Sequence, residues 1–148
     1  MSIIDKYREF RKNRHIQAIA NSIKLVQNPR AIKEDRVAAI EFLAELDVSN
    51  IKDAVHGLLQ RFEYSLEHGI QDSREKEQAL TGIVRFQALA IPYLNEHLKQ
   101  TTRIAWPIKA LTQLAKPEAI VEVLASCLEF GDVSLEQSRV DKNYDILC

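Results

Sequence analysis

Apolar residues recur along most of this chain at intervals of three and four positions, which is the spacing of one face of an α-helix. Val37, Ile40, Leu43 and Leu46 form one such stripe, and another follows within residues 51–62. Alternation of apolar and polar residues, which would indicate a half-buried strand, is hard to find. Only four glycines and four prolines occur in 148 residues, so few turns interrupt the helices. The pattern predicts an all-α fold.

Three local signals predict where helices begin, end or bend. Gly69 follows the second stripe, and its freedom to adopt a left-handed backbone suits the end of a helix. Asp72 with Glu75 three positions later has the spacing of a capping box, which predicts the start of the next helix. Pro107 lies inside a predicted helix that begins at Thr101 or Thr102, where the loss of a backbone hydrogen bond predicts a kink.

The helical stripes repeat along the chain. A shift of 40 positions superimposes the apolar residues Ala39, Ile40, Leu43, Leu46, Ile51 and Leu58 on Ala79, Leu80, Ile83, Phe86, Ile91 and Leu98. One pair of helices of this length cannot bury both of its faces alone. Stacking of neighbouring pairs would complete a continuous core.

The repeat is clearest in the stretch Ala90-Ile91-Pro92-Tyr93-Leu94-Asn95-Glu96-His97-Leu98-Lys99. Residues 102–111 continue it, and the stretch Lys116-Pro117-Glu118-Ala119-Ile120 comes after them. This pattern resembles HEAT-type helical repeats of the armadillo-like class over about residues 33–148. Lys116 stands where that family usually has Asp, and Val121 where it often has Pro. The resemblance implies a right-handed α-α superhelix (a solenoid) of about three HEAT-like helix pairs with an N-terminal helical cap.

The expected organisation is a single helical-repeat domain over residues 1–148. Residues 1–32 form a basic N-terminal cap, and the three repeats are expected at residues 33–69, 72–100 and 101–131. Residues 134–148 form a partial repeat or a terminal helix. Because Val140, Tyr144 and Leu147 have no following helix to cover them, self-association through this C-terminal helix is one expectation.

Charge is distributed unevenly. Residues 1–36 hold nine Lys and Arg against four acidic residues, a balance of +5, so the rest of the chain carries −6 to give the total of −1. Two short helices are expected within residues 3–26. The candidate basic patch consists of Lys6, Arg8, Arg11, Lys12 and Arg14, with Arg30, Lys33 and Arg36 as further phosphate contacts. Acidic residues interrupt this run, which favours a solvated face over a nucleic-acid site.

The second helices of HEAT-like pairs line the concave face, so the resemblance implies that a protein partner binds there. The predicted contact residues on these helices are Lys52, Asp53, His56, Gln60, Tyr93, Glu96, His97, Glu122 and Ser126. Tyr93 and His97 lie one turn apart and share a face, so they would form part of one recognition stripe.

The sequence shows no motif for catalysis, metal binding or cofactor binding. The four histidines lack ligand spacing such as HExxH, and neither a Gly-rich phosphate loop nor a Gly-x-Ser-x-Gly elbow occurs. No catalytic residue, metal or cofactor is therefore predicted. No apolar run reaches the roughly 18 residues of a membrane helix, and the first residues lack the apolar segment of a signal peptide. A cytoplasmic protein without a membrane partner is expected.

The leading functional hypothesis is a non-enzymatic protein-interaction or scaffold module. One alternative is nucleic-acid binding through the basic N-terminal helices, although the sequence pI near 6.4 is low for a dedicated binder. Another alternative comes from the resemblance alone, because some proteins with HEAT-like repeats are bilin lyases or DNA-repair glycosylases. A lyase would bind pigment along the concave face, and a glycosylase would need a basic groove.

Overall fold

The computed structural model describes residues 2–129, with side chains as far as residue 125, and every regular element in this part of the chain is helical. The α-helices of this part are α1 (Ile3–Val26), α2 (Lys33–Ala44), α3 (Ile51–Gln60), α4 (Gly69–Val84), α5 (Ile91–Leu98), α6 (Ala105–Leu114) and α7 (Pro117–Glu129). Short 3-10 turns lead into α3 and α5, and another follows α3. The prediction of an all-α fold is confirmed for these residues. The predictions for residues 130–148, including self-association through a C-terminal helix, lie outside the described residues.

The helices pack in a regular order. Helix α2 packs on α4 and α4 on α6, while α3 packs beside α5 and α1 covers both α2 and α3. Five of the six pairs that match under the shift of 40 occupy equivalent places on α2 and α4 or on α3 and α5, and the sixth, Leu46 and Phe86, lies just after α2 and α4. Of the twelve matched residues, ten are buried, and Ile51 and Ile91 pack half-buried against the same core. The sequence repeat therefore marks core positions.

Helix α1 is one continuous helix of 24 residues, so the prediction of two short helices is wrong. The Ser2 hydroxyl accepts the Asp5 backbone N–H at 3.2 Å, and the Asp5 carboxylate accepts from the Ser2 backbone in return, which is a capping box. No glycine or proline interrupts the helix between its ends. Contact with the rest of the chain begins at His15, whose ring lies 6.3 Å from that of Phe42; residues 2–17 are exposed, and Ile19 is the first buried residue of α1.

The predicted boundary at Gly69 is also wrong. Gly69 begins α4 rather than ending α3, which stops at Gln60. Asp72 and Glu75 lie within α4 and do not cap it. The Asp72 carboxylate accepts the Leu66 backbone N–H at 3.0 Å, which holds the connection before α4 against that helix.

The prediction of a kink at Pro107 fails because α6 begins at Ala105, later than expected. Pro107 therefore stands in the first turn, where its missing N–H would have had no partner within the helix. Pro92 and Pro117 likewise stand at the starts of α5 and α7. Among the helices of residues 2–129, none is both long enough and apolar enough to cross a bilayer.

Candidate functional site

A groove of about 680 Å³ runs between α3 and α5. Seven of the nine residues predicted on the partner-binding face line it, namely Lys52, Asp53, His56, Gln60, Tyr93, Glu96 and His97. The structure thus brings together residues from two helices that are separated by about forty positions in sequence.

Helical periodicity explains this convergence. On α3, Ala54, Val55 and Leu58 are buried in the core, so the polar residues between them must face outward. On α5, Leu94 and Leu98 are buried in the same way, which turns Tyr93 and its polar neighbours toward the groove. Because α3 and α5 pack side by side, the two outward stripes become the two walls of one groove.

The groove is also lined by four residues that the sequence pattern did not indicate, namely Leu59, Glu63, Gln100 and Thr101. Leu59 belongs to the apolar stripe and is nearly fully buried, so it supplies an apolar part of the lining. Glu63 lies in the 3-10 turn after α3, and Thr101 lies beyond the end of α5. Their position beside the groove depends on how the chain turns after each helix. The apolar periodicity of the sequence gives no information about these turns.

The inner end of the groove holds a cluster of polar groups around Glu63. The His97 Nε2 lies 2.8 Å from the Glu63 Oε1 and is shielded from solvent, but it makes no aligned hydrogen bond, and the contact is an ion pair only when the imidazole is protonated. The Thr101 hydroxyl donates to the same oxygen at 2.7 Å. Burial raises the pKa of Glu63, but His97 and the Thr101 hydroxyl stabilise the carboxylate more, so its pKa lies below the ordinary value.

The groove is acidic overall. Its lining contains three carboxylates and one lysine, which gives a net charge of −2 when the histidines are neutral. Asp53 on the α3 wall and Glu96 on the α5 wall are both exposed. Glu96 has a neighbour in Lys99 at 3.7 Å, but both side chains are about half exposed or more, so this pair is weak.

One of the two remaining predicted site residues lies away from this groove. Glu122 is exposed on α7 and is absent from the lining, and the Ser126 side chain lies outside the described part of α7. The five residues of the candidate basic patch are all exposed on the first half of α1. Arg36, proposed as a further phosphate contact, is only 3% exposed and bonds to Glu75, so that part of the prediction is wrong.

In the part of the chain that the structure describes, no three His, Cys, Asp or Glu side chains gather as metal ligands. No protein-family model, curated protein or solved structure matches this chain. The feature that points to function is therefore the groove itself, whose lining combines Leu59 and Tyr93, called its floor, with charged and polar groups.

Proposed function

We propose that this chain is a HEAT-like helical-repeat module that binds a protein partner in the groove between α3 and α5. Its role is that of a non-enzymatic interaction or scaffold module. The observation that carries the proposal is the convergence of seven predicted contact residues on a single groove. If these polar residues served only to contact solvent, they would not need to line one concave surface from two different helices.

The proposed architecture is a right-handed solenoid of three helix pairs, α2/α3, α4/α5 and α6/α7, with α1 as the cap. Support comes from the packing of α2 on α4 and α4 on α6, together with the packing of α3 beside α5. In this arrangement the second helices, including α3 and α5, form the concave side. We also propose a cytoplasmic location, since two cysteines do not make the disulfide framework of a small secreted domain.

The anatomy of the groove suits a peptide or helix of a partner protein. Tyr93 offers aromatic contact, the nearly buried Leu59 adds a small apolar area, and charged groups from both helices also line the groove. Tyrosine is enriched among residues that dominate binding energy, because it buries a large area with little loss of conformational freedom. An amphipathic segment that lays its apolar side on such a floor is a common mode of recognition.

The test begins with a photo-crosslinking residue placed at Gln60 in the groove and, as a control, at the exposed Thr112 on α6. We expect a partner to be captured from the Gln60 position and not from the Thr112 position. The captured protein is then purified and its affinity is measured by calorimetry. We expect Tyr93→Ala to weaken binding at least about tenfold, and Glu77→Ala, at an exposed site on α4, to leave binding unchanged.

Equal crosslinking from both positions would contradict the proposal, as would unchanged affinity of the Tyr93→Ala variant. The nucleic-acid alternative predicts a different result, because binding would follow the residues of the basic patch and weaken steeply with salt. On a helix with about 3.6 residues per turn, Lys12 and Arg14 lie on nearly opposite sides. This spread of the basic patch makes it a poor match to one phosphate backbone.

A further inference from the structure

The first half of α1 carries an apolar stripe that the rest of the described chain leaves uncovered. Ile3 is 86% exposed, Tyr7 60% and Phe10 56%. At about 100° per residue these three side chains lie on one side of the helix. Ile19 and Val26, through which α1 packs onto the other helices, lie more than about 100° away around the axis. The stripe is therefore not a continuation of the core-facing side of α1.

Charged residues are arranged around this stripe in an ordered way. Lys6 and Arg11 flank it, each about 70° from its centre, whereas Asp5 and Glu9 lie toward the opposite side. The Arg11 guanidinium also lies 5.9 Å from the centre of the Tyr7 ring. A surface that accepts the stripe would consequently meet positive charge on both sides and little negative charge.

The groove between α3 and α5 has the complementary arrangement. Its apolar floor contains Leu59 and Tyr93, and each wall carries an exposed carboxylate, Asp53 on α3 and Glu96 on α5. Lys52 on the α3 wall lowers the negative charge but leaves the lining at −2. Residues 2–17 hold five Lys and Arg against two acids, a balance of +3. The two surfaces therefore match in polarity and in charge.

We propose that the groove binds the first half of α1 from a second copy of this chain. The proposal rests on the proposed function, because it takes the groove to be a protein-binding surface. From Ile3 to Phe10 the stripe measures about 11 Å, and α5 measures about 12 Å, so the lengths also agree.

The contact joins two different surfaces, so each copy offers one helix and one groove to others. Each flanking cation would face one wall carboxylate, and the aromatic side chains of the stripe would rest on the floor. Because most of these charges are exposed, the association should weaken as salt screens them. Charge-reversal variants can therefore break the contact from either side without touching the core.

The experiment measures the mass of the full chain in solution by sedimentation equilibrium over a range of concentrations. We expect a mass above that of the monomer at low salt, falling toward the monomer as salt is raised. The helix variant Lys6→Glu/Arg11→Glu should associate at least about tenfold more weakly, since like charges would then face each other. The groove variant Asp53→Lys/Glu96→Lys should show the same loss.

Mixing the two variants gives the sharper result. The helix variant keeps an intact groove and the groove variant keeps an intact helix, so the mixture should form a complex that neither forms alone. The chain with all four substitutions should associate with itself again, because both charges are reversed. The control pairs Arg30→Glu/Arg74→Glu and Glu41→Lys/Glu77→Lys make equal charge changes at exposed sites elsewhere and should associate like the unmodified chain. Circular dichroism checks that every variant is folded.

A monomeric chain at all concentrations overturns self-docking. If the chain is monomeric but a different protein still crosslinks to the groove at Gln60, self-docking fails and the proposed function stands. If the chain is monomeric and no protein crosslinks there, self-docking and the proposed function both fail. Association that survives in both variants overturns the inference, since another surface must then join the copies. Binding of residues 2–17 to phosphatidylserine vesicles by a chain that stays monomeric also overturns it, because the occupant of the stripe is then a lipid surface.

Discussion

Glu75 on α4 accepts two hydrogen bonds from the guanidinium of Arg36 on α2, with the Arg36 Nη2 at 2.9 Å from the Glu75 Oε2. Both side chains are almost completely buried, at 4% and 0% exposure. The Arg61 Nε donates to the same carboxylate at 3.0 Å. One carboxylate therefore joins α2, the turn after α3, and α4 within the interior.

Replacing Glu75 by Gln should destabilise the protein strongly. The variant keeps the size of the side chain but leaves Arg36 buried without a negative partner, while Arg61 keeps only its ion pair with Asp72 at 2.7 Å. Breaking a buried ion pair in this way costs about 3–5 kcal/mol. Urea denaturation measures the change in the free energy of unfolding. The control is Glu77→Gln on the exposed side of α4, for which we expect a change within about 0.5 kcal/mol. Similar values for the two variants would contradict this account.

The same network predicts a dependence of stability on pH. Burial raises the pKa of Glu75, but hydrogen bonds from Arg36, Gln71 and Arg61 lower it more, so its pKa lies below the usual 4.5. The pKa of Asp72 is also lowered, since hydrogen bonds from Lys76 and Arg61 outweigh its burial. A carboxyl with a lowered pKa in the folded state stabilises the fold fully above its unfolded pKa and loses that effect as pH falls.

We therefore expect the free energy of unfolding to decrease as pH falls below about 4.5 and to continue decreasing below the lowered pKa values. Urea titrations at several pH values between neutral and acidic conditions measure this slope. The decrease should be smaller in Glu75→Gln, because one of the titrating groups is absent. An unchanged slope in that variant would show that Glu75 does not contribute to the acid sensitivity.

This network also shows where sequence reasoning stopped. Asp72 and Glu75 have the spacing of a capping box, and that spacing alone cannot distinguish a cap from two acidic residues inside a helix. The decisive partners, Arg36 and Arg61, lie 39 and 14 positions from Glu75 along the chain. Local composition places Arg36 among the basic surface residues, because composition does not show that the side chain is buried. The role of Asp72 and Glu75 and the burial of Arg36 both depend on contacts between helices that are distant in sequence.

The walls of the groove, in contrast, were predictable. Apolar periodicity fixes which side of α3 and α5 enters the core, and the repeat places the two helices in equivalent positions. Seven contact residues follow from those two facts. Glu63 and Thr101 do not follow, because they lie where the chain turns after a helix. The continuity of α1 was predictable in principle, since no glycine or proline separates its two halves.

Leu94 provides a test of the predicted repeat register. Its side chain is fully buried, and the sequence repeat assigns it to the apolar face of α5. Leu94→Ala should reduce the free energy of unfolding by about 2–5 kcal/mol, through lost burial and the cavity left behind. Leu89 lies in the turn before α5 and is 57% exposed, so Leu89→Ala should change stability by less than about 0.5 kcal/mol. A small effect at Leu94 would show that this side of α5 does not face the core.

Gly82 allows α4 to approach α2 closely. A Cβ at this position would lie 2.7 Å from the Ala44 Cβ and 3.2 Å from the Ala44 Cα, and 3.0 Å from the Leu58 Cδ1. The first two atoms belong to or adjoin the backbone of α2, so they cannot move aside as the end of a long side chain can. The helices would have to separate to admit even one methyl group.

Gly82→Ala should therefore destabilise the protein although alanine is the better helix former. The gain in helix propensity is about 1 kcal/mol, whereas overpacking costs about 1–3 kcal/mol and more when backbone must move. Gly69→Ala is the matched control in the same helix, since nothing lies within 4 Å of the added Cβ. Thermal unfolding should show a lower Tm for Gly82→Ala and an equal or higher Tm for Gly69→Ala. A Tm for Gly82→Ala as high as that of the Gly69→Ala control would contradict this prediction. It would mean that α2 and α4 lie farther apart than the contact between Gly82 and Ala44 requires, and that neighbouring helix pairs do not pack closely there.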